Sequence, residues 1–161
     1  MNDFEQVLVM SFNSFFEKSG IKGISHRIKQ HRFSYQFVDV LVDSLHPDYY
    51  LGIECKSISV EKGANALYFT QHFTTDKNGD HQIDRVANFL KKSGRKGFLL
   101  VELRRGSGNK KNAYAISWNQ LEILFNSEDR KGITVSELQA FPKLERIGNY
   151  YKVDPVQWEY I

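Results

Sequence analysis

Residues 51–58 have the sequence LGIECKSI, an apolar run that contains one acid and one base. Successive side chains of a β-strand point to opposite faces, so Glu54 and Lys56 share one face while Ile53 and Cys55 point to the other. Alone, an acid and a lysine two residues apart usually mark the solvated face of a half-buried strand. Whether this pair has a chemical role therefore depends on the elements around it.

A second strand is predicted immediately before this one, at Phe37–Val42, where the sequence is FVDVLV. Residues 44–48 (SLHPD) have the composition of a turn, so the two strands are expected to form an antiparallel hairpin. That hairpin sets Asp39 roughly opposite Glu54. Like charges directly opposite each other destabilise a sheet unless a cation lies between them, so the two acids indicate a metal site.

Two carboxylates and a lysine on one strand face suit the hydrolysis of phosphodiester bonds. The reaction needs an activated water and positive charge near the developing anion. Mg²⁺ takes oxygen ligands, commonly one or two carboxylates completed by waters and the phosphate, so Asp39 and Glu54 suffice as protein ligands. Lys56 is expected to orient the water or to stabilise the anion.

The flanking segments predict a chain of mixed helices and strands. Helical periodicity covers Asn2–Lys18, and residues 23–33 fit a short strand or a basic loop equally well. After a non-periodic stretch at residues 59–79, Asp80 is expected to cap a helix that runs to about Lys92. The remaining expected elements are strands at Phe98–Leu103 and Tyr114–Ser117, a helix at Trp118–Phe125 and, in the less regular tail, a short helix at Val135–Ala140 and a strand at Tyr150–Val153.

The chain of 161 residues is expected to form one domain, with a core at about residues 3–126 and an unassigned tail at 127–161. Its net charge of +3 is too small to establish a polyanionic partner by itself.

The single cysteine excludes an intrachain disulfide and a cysteine-built zinc site, and it fits a reducing cytoplasmic setting. No apolar run approaches the roughly 20 residues that span a bilayer, so a soluble protein with no membrane partner is expected. The glycines at 106 and 108 lack the lysine and hydroxyl residue of a phosphate-binding loop, so no nucleotide cofactor is expected.

The run Phe37-Val38-Asp39, followed by Gly52-Ile53-Glu54-Cys55-Lys56, resembles the motif of the PD-(D/E)xK nucleases, in particular the archaeal-type Holliday junction resolvases. Val38 stands where the family motif has proline. The resemblance covers about Asp3 to Ser117. It implies an α/β (α+β) fold, a restriction-endonuclease-like core whose central mixed sheet is flanked by helices in the order αβββαβ.

The resemblance also implies an activity and its requirements. The protein is expected to be a Mg²⁺-dependent endonuclease, with Mn²⁺ as a substitute metal, that acts on branched or duplex DNA. For a resolvase, the resemblance further implies a homodimer that makes paired symmetric nicks in a four-way junction.

The same resemblance implies a catalytic site of five residues. Asp39 and Glu54 correspond to the metal ligands and Lys56 to the catalytic lysine. Gln82 corresponds to a glutamine that opens the following helix, and Glu5 to a further metal-binding acid on the first helix.

Two of these assignments have alternatives in the sequence. Glu17 competes with Glu5 for the role of the helical acid, although Glu5 is favoured because its turn precedes the apolar stripe of the helix. Pro47-Asp48 is a literal Pro-Asp pair, but only five residues separate Asp48 from Glu54, which favours a turn there and leaves Asp39 as the first ligand.

Basic residues supply a candidate DNA surface, because phosphate contacts give most of the affinity in nucleic-acid binding. The clusters lie at residues 22–32, at 95–96 with 104–105, and at 110–111. The DNA-binding residues expected from them are Arg27, Lys29, Arg32, Arg104, Arg105, Lys110 and Lys111. Two other functions remain open: another PD-(D/E)xK DNA endonuclease, of restriction or repair type, and a non-catalytic nucleic-acid-binding module with this fold.

Overall fold

The computed structural model describes residues 3–29 and 37–159. Its helices and strands are, in chain order, α1 (Asp3–Ser19), β1 (Gly23–Arg27), β2 (Val40–Ser44), β3 (Leu51–Ser59), β4 (Ala66–Tyr68), α2 (Gln82–Ser93), β5 (Lys96–Arg104), β6 (Asn112–Ser117), α3 (Trp118–Phe125), β7 (Gly132–Thr134), α4 (Val135–Leu138), β8 (Arg146–Ile147), β9 (Tyr150–Tyr151) and α5 (Pro155–Trp158). Single 3₁₀ turns lie at Pro47–Tyr49 and Val60–Lys62. The segment that fitted either a strand or a loop therefore begins with a strand, β1.

A five-stranded mixed sheet with the order β1-β2-β3-β5-β6 forms the centre of the fold. β1, β2 and β3 are antiparallel neighbours, β3 and β5 run parallel, and β6 returns antiparallel to β5. Parallel strands need a crossover connection, which here contains α2. The core has the order αβββαβ with helices beside a mixed sheet, which confirms the predicted fold class.

The first helix covers one face of this sheet. Phe4, Leu8, Phe12 and Phe16 are buried in one cluster with the side chains of β2 and β3 that face α1. Phe15, three residues after Phe12 and thus at helical spacing from it, is only partly buried. Its neighbour Phe16 is buried and packs against the rings of Phe12 and Tyr49.

The second face of the sheet packs against α2 and α3. Ile83 and Val86 of α2 and Leu121 of α3 join Leu99 and Val101 of β5 in a separate buried cluster. Because side chains alternate along β3, its apolar residues Ile53 and Cys55 belong to the first cluster. The residue between them, Glu54, therefore points toward α2.

The start of α2 differs from the prediction. His81, and not Asp80, is the N-cap, and its Nδ1 accepts a hydrogen bond of 3.1 Å from the backbone N–H of Ile83. Asp80 belongs instead to a tight turn, where its N–H donates to Asp76 Oδ1 (2.9 Å) and its carbonyl accepts from the N–H of Asp76 (2.9 Å). The turn contains Gly79 at a φ of 86°, a left-handed conformation that favours glycine. The helix ends as predicted, before Gly94.

The tail contributes to the core beside α1. Trp158 of α5 makes edge-to-face contacts with Phe12 (centroids 6.0 Å apart) and Phe98 (5.5 Å), and Tyr151 does so with Phe4 (5.9 Å). The predicted helix at 135–140 and strand at 150–153 are present in shorter form, as α4 and β9. Among the described helices, none combines the length and apolar character that crossing a membrane requires.

Candidate active site

Glu54 is a buried acid in the middle of the central strand β3. Only 4% of its surface is exposed. Its Oε2 atom accepts a hydrogen bond of 2.8 Å from Gln82 Nε2 and lies 3.2 Å from Lys56 Nζ. Its other oxygen, Oε1, is buried and accepts no hydrogen bond within the described part of the chain. A buried carboxylate oxygen without a partner costs folding free energy, so Oε1 is available for a ligand.

Asp39 lies beside Glu54 as the hairpin predicted. In the β2–β3 register Val40 is opposite Ile53, so one step further places Asp39 opposite Glu54. The backbone N–H of Asp39 donates to the carbonyl of Ile53 (3.0 Å), and Asp39 Oδ2 accepts from the N–H of Cys55 (2.8 Å). These two bonds hold the Asp39 carboxyl against β3.

The alternative first ligand, Asp48, lies elsewhere. It is part of the 3₁₀ turn that follows β2, and its Oδ1 faces Lys96 Nζ at 3.5 Å. Lys96 is paired with Leu51 at the beginning of β3, three residues before Glu54. The structure therefore brings Asp39, and not Asp48, next to Glu54.

The proximity of Asp39 alters the protonation of Glu54. Burial raises the pKa of Glu54 to about 8, and the negative charge of Asp39 adds to the rise, whereas the Lys56 ammonium opposes it. A proton or a metal ion would relieve the repulsion between the two carboxyl groups. The pair is thus a site where a cation and a proton compete.

The donor set suits a hard divalent cation. Across residues 3–29 and 37–159, no three Asp, Glu, His or Cys side chains converge in a ready-made metal cluster. Mg²⁺ commonly uses only one or two carboxylates and takes its remaining ligands from waters and phosphate. Asp39 together with the unpartnered Oε1 of Glu54 meets that requirement.

Glu5 lies near the pair but is held by another residue. Its Oε2 is 2.8 Å from Nη2 of Arg27 and accepts a hydrogen bond of 3.1 Å from Nε. Burial raises the pKa of Glu5, and the charge of Asp39 raises it further, so the two acids are close enough to interact electrostatically. The competing residue, Glu17, is exposed near the opposite end of α1. The helical acid in the vicinity of the site is therefore Glu5.

Gln82 opens α2 and its side chain reaches β3. Its Oε1 accepts a hydrogen bond of 3.1 Å from the N–H of Thr74, so its Nε2 is directed at Glu54. Lys56 has an aromatic neighbour as well, because its Nζ lies 4.8 Å from the centroid of the Phe73 ring. Sequence patterns did not indicate Phe73 or Thr74, since both lie in the non-periodic segment and contact the site only through the fold.

The basic residues predicted to bind DNA differ in their exposure and in their ion pairs. Arg27 is paired with Glu5, and Lys29 is exposed. Arg104, Lys110 and Lys111 are exposed and Arg105 is partly buried, all in or beside the β5–β6 hairpin. Arg32 lies outside the described residues.

The cluster at 95–96 has a structural explanation. The Arg95 side chain is 10% exposed; its Nη1 donates to the carbonyls of Val42 and Leu51 (both 3.1 Å), and its Nη2 to Asp43 Oδ1 (2.8 Å). It also stacks on Tyr50, with 4.2 Å between the guanidinium carbon and the ring centroid. Arg95 joins β2 and β3 to the beginning of β5 and has little surface left for DNA.

The tail adds two basic residues that sequence patterns missed. Lys143 and Arg146, both exposed, line an open groove of about 1180 Å³ together with Lys110 and Lys111. The acids Asp3, Glu102 and Glu145 line the same groove. No periodicity marked Lys143 or Arg146, because the tail is placed by contacts with α1 that are remote in sequence.

The sequence matches no protein-family model and no curated protein sequence. Among solved structures, the fold is similar to Hjc of Archaeoglobus fulgidus, a Holliday junction resolvase from an archaeal hyperthermophile. The two chains are 14% identical, with a TM-score of 0.47, and the similarity covers 81% of this chain and 90% of that one.

Proposed function

We propose that this protein is a metal-dependent DNA endonuclease and that its preferred substrate is a four-way DNA junction, nicked in pairs by a homodimer. The proposed metal-dependent chemistry depends chiefly on the environment of the Glu54 carboxyl. It is buried beside a second acid and a lysine, and one of its oxygens accepts no hydrogen bond from the described residues. A buried titratable group with a strongly shifted pKa and specific charged neighbours is typical of a functional site.

In this proposal Asp39 and Glu54 hold one Mg²⁺ or Mn²⁺ ion. The ion would supply positive charge for the phosphate and lower the pKa of a coordinated water. Gln82 binds Glu54 Oε2, so Oε1 would be the oxygen that holds the ion. The Lys56 ammonium, beside Oε2, has donors left to orient the attacking water or a phosphate oxygen.

Glu5 has a conditional role. It would be a third ligand only after a rearrangement, because no three such side chains converge among the described residues and Arg27 binds its Oε2. A DNA phosphate that draws Arg27 away would free Glu5, so substrate binding and completion of the metal site are coupled in this proposal.

The DNA part of the proposal rests on the exposed basic side chains and on the motif. Lys29, Arg104, Arg105, Lys110 and Lys111 remain the expected phosphate contacts, and Lys143 and Arg146 extend them. The preference for a junction and the homodimer follow from the resemblance of the Asp39 and Glu54–Lys56 motif to the archaeal-type resolvases. Two symmetric active sites would match the symmetry of a junction.

The test uses an end-labelled four-way junction and a linear duplex of matched sequence, each with Mg²⁺ and with EDTA. The wild type is compared with Glu54→Gln and Lys56→Gln. The controls Glu128→Gln and Lys77→Gln make the same chemical changes at exposed positions. We expect paired nicks on the junction that need Mg²⁺, persist in both controls and disappear in both site variants.

Each other outcome corrects a separate part of the proposal. Equal cutting of junction and duplex leaves a general endonuclease of restriction or repair type. Binding without cutting under every metal condition contradicts the catalytic claim and leaves a nucleic-acid-binding module. Cutting by Glu54→Gln at the wild-type rate rules out the proposed metal site.

A further inference from the structure

The segment between β4 and α2 folds back over the candidate site and contacts two of its side chains. We propose that Phe73, in this segment, is a positioning residue whose ring holds the Lys56 ammonium against Glu54 Oε2. The kinetic part of this inference rests on the proposed nuclease function. Its geometric part rests only on contacts within the chain.

The ring and the ammonium are in direct contact. Lys56 Nζ lies 4.8 Å from the centroid of the Phe73 ring and 3.2 Å from Glu54 Oε2, so the cation contacts both an aromatic ring and a carboxylate. The electron-rich face of an aromatic ring attracts a cation. Lysine has a long flexible side chain, and contact with a buried ring reduces the positions that its ammonium samples.

The Phe73 ring is itself held in place by the residues around it. It is 4% exposed and belongs to the buried cluster formed with α2 and β5. The next residue, Thr74, donates its N–H to Gln82 Oε1, and its hydroxyl accepts a hydrogen bond of 2.9 Å from Arg85. The segment is thus tied to the first turns of α2.

Two consecutive residues therefore each fix one partner of the same carboxylate oxygen. Phe73 contacts Lys56, Thr74 orients Gln82, and both Lys56 and Gln82 reach Glu54 Oε2. This arrangement determines the position of the lysine without offering any group to the substrate, because the Phe73 ring is buried. Loss of the ring should lower kcat and leave the KM for DNA nearly unchanged.

The experiment compares Phe73→Leu, which removes the ring, and Phe73→Tyr, which keeps it, with Phe69→Leu as a matched control. Phe69 is also 4% exposed, lies in the same segment and cluster, and packs on Phe125 instead of the site. Urea unfolding of each variant identifies any general loss of stability. The first readout is the ring-current shift of the Lys56 ε-methylene protons in lysine-labelled protein, assigned with Lys56→Arg.

We expect an upfield shift in the wild type, in Phe73→Tyr and in Phe69→Leu, and its loss in Phe73→Leu. The second readout is junction cleavage at saturating Mg²⁺. Here kcat should fall about tenfold in Phe73→Leu, the size expected when a partly desolvated cation–aromatic contact is lost. The KM should change less than about twofold, and Phe73→Tyr should recover most of the wild-type kcat.

Three results overturn the inference. The first is a Lys56 shift that is the same with and without the Phe73 ring. The second is an equal loss of kcat in Phe69→Leu and Phe73→Leu, which would reflect core packing alone. The third is a rise in KM with unchanged kcat. If the wild type cuts no DNA, the proposed function is wrong, and the NMR shift alone then decides whether Phe73 holds Lys56.

Discussion

Gln82 Nε2 donates a hydrogen bond of 2.8 Å to Glu54 Oε2, although the two residues lie 28 positions apart on different elements. The bond joins the first residue of α2 to the middle of β3. A second bond, from the N–H of Thr74 to Gln82 Oε1, fixes which end of the amide faces the acid. The free oxygen of Glu54 is therefore oriented by residues outside its own strand.

Gln82→Ala tests this orientation. We expect the affinity for Mn²⁺ to fall about tenfold or more, because residues that orient a ligand typically account for a factor of 10 to 100 in metal affinity. Titration calorimetry measures the change. Asn88→Ala, an exposed amide on the same helix, is the control and should bind Mn²⁺ as the wild type does. Unaltered Mn²⁺ affinity in Gln82→Ala would show that the bond has no part in metal binding.

Without metal, the raised pKa of Glu54 makes stability depend on pH. The folded chain retains a proton on Glu54 up to about pH 8, whereas the unfolded chain loses it near 4.5, the ordinary pKa of a glutamate. The stabilising contribution is complete below the unfolded pKa and is lost as pH rises through the folded pKa. Relative to Glu54→Gln, the wild type in EDTA should lose on the order of 1–3 kcal/mol between pH 5 and 8, measured by urea unfolding. A difference between the two that is constant with pH contradicts the assignment.

Metal binding should release a proton from the site. At pH 7 Glu54 is largely protonated, and a cation at Oε1 would displace that proton. Calorimetry in two buffers of different ionisation enthalpy should give a release of about one proton per Mn²⁺ near pH 7, and none in Glu54→Gln. Binding without proton release would mean that the carboxyl is already ionised or that it is not a ligand.

Arg95 should prove important for stability and unimportant for cleavage. Arg95→Ala leaves two buried carbonyls without their donor and removes the Asp43 pair, so we expect a loss of about 2–4 kcal/mol of unfolding free energy. Lys96→Ala, at a side chain 39% exposed, should cost less than about 0.5 kcal/mol. Thermal and urea unfolding check both. A stable Arg95→Ala protein with impaired DNA binding would reverse this assignment.

The groove residues of the tail should contribute to DNA affinity. For Lys143→Glu with Arg146→Glu we expect weaker junction binding and a salt dependence reduced by about 2 in slope, since each phosphate contact adds about 0.9. Stability should fall by no more than about 1 kcal/mol, because both side chains are exposed and Arg146 loses only its contact with the Tyr151 ring, 4.8 Å from the guanidinium carbon. Lys91→Glu with Lys92→Glu, at two exposed lysines near the end of α2, is the control because it changes the net charge by the same amount. Equal effects of the control and the double variant would indicate only a general loss of positive charge.

Much of the site was predictable because a hairpin obeys simple geometry. Alternation along β3 and the turn at 44–48 were enough to set Asp39 opposite Glu54. The helix cap at Asp80 was predicted wrongly, since the turn from Asp76 uses that residue and leaves the cap to His81. Local propensity does not distinguish two neighbouring polar residues when a turn competes for one of them.

Other features depend on contacts that no local pattern encodes. The near-complete burial of Glu54 results from α2 closing over β3, and the place of Phe73 results from a segment without periodicity. The packing of Trp158 against Phe12 likewise joins the tail to the first helix across nearly the whole chain. Such long-range contacts follow from the fold and are not visible in a single stretch of sequence.

The bond from the Cys55 N–H to Asp39 Oδ2 has a consequence for how the chain assembles. Asp39 directly precedes the first residue of β2, and its side chain accepts a hydrogen bond from a backbone N–H of the neighbouring strand β3. Closing the β2–β3 hairpin and assembling the acidic pair are therefore one event. A chain that forms this hairpin has Asp39 beside Glu54, and the packing of α2 adds Gln82 to the pair.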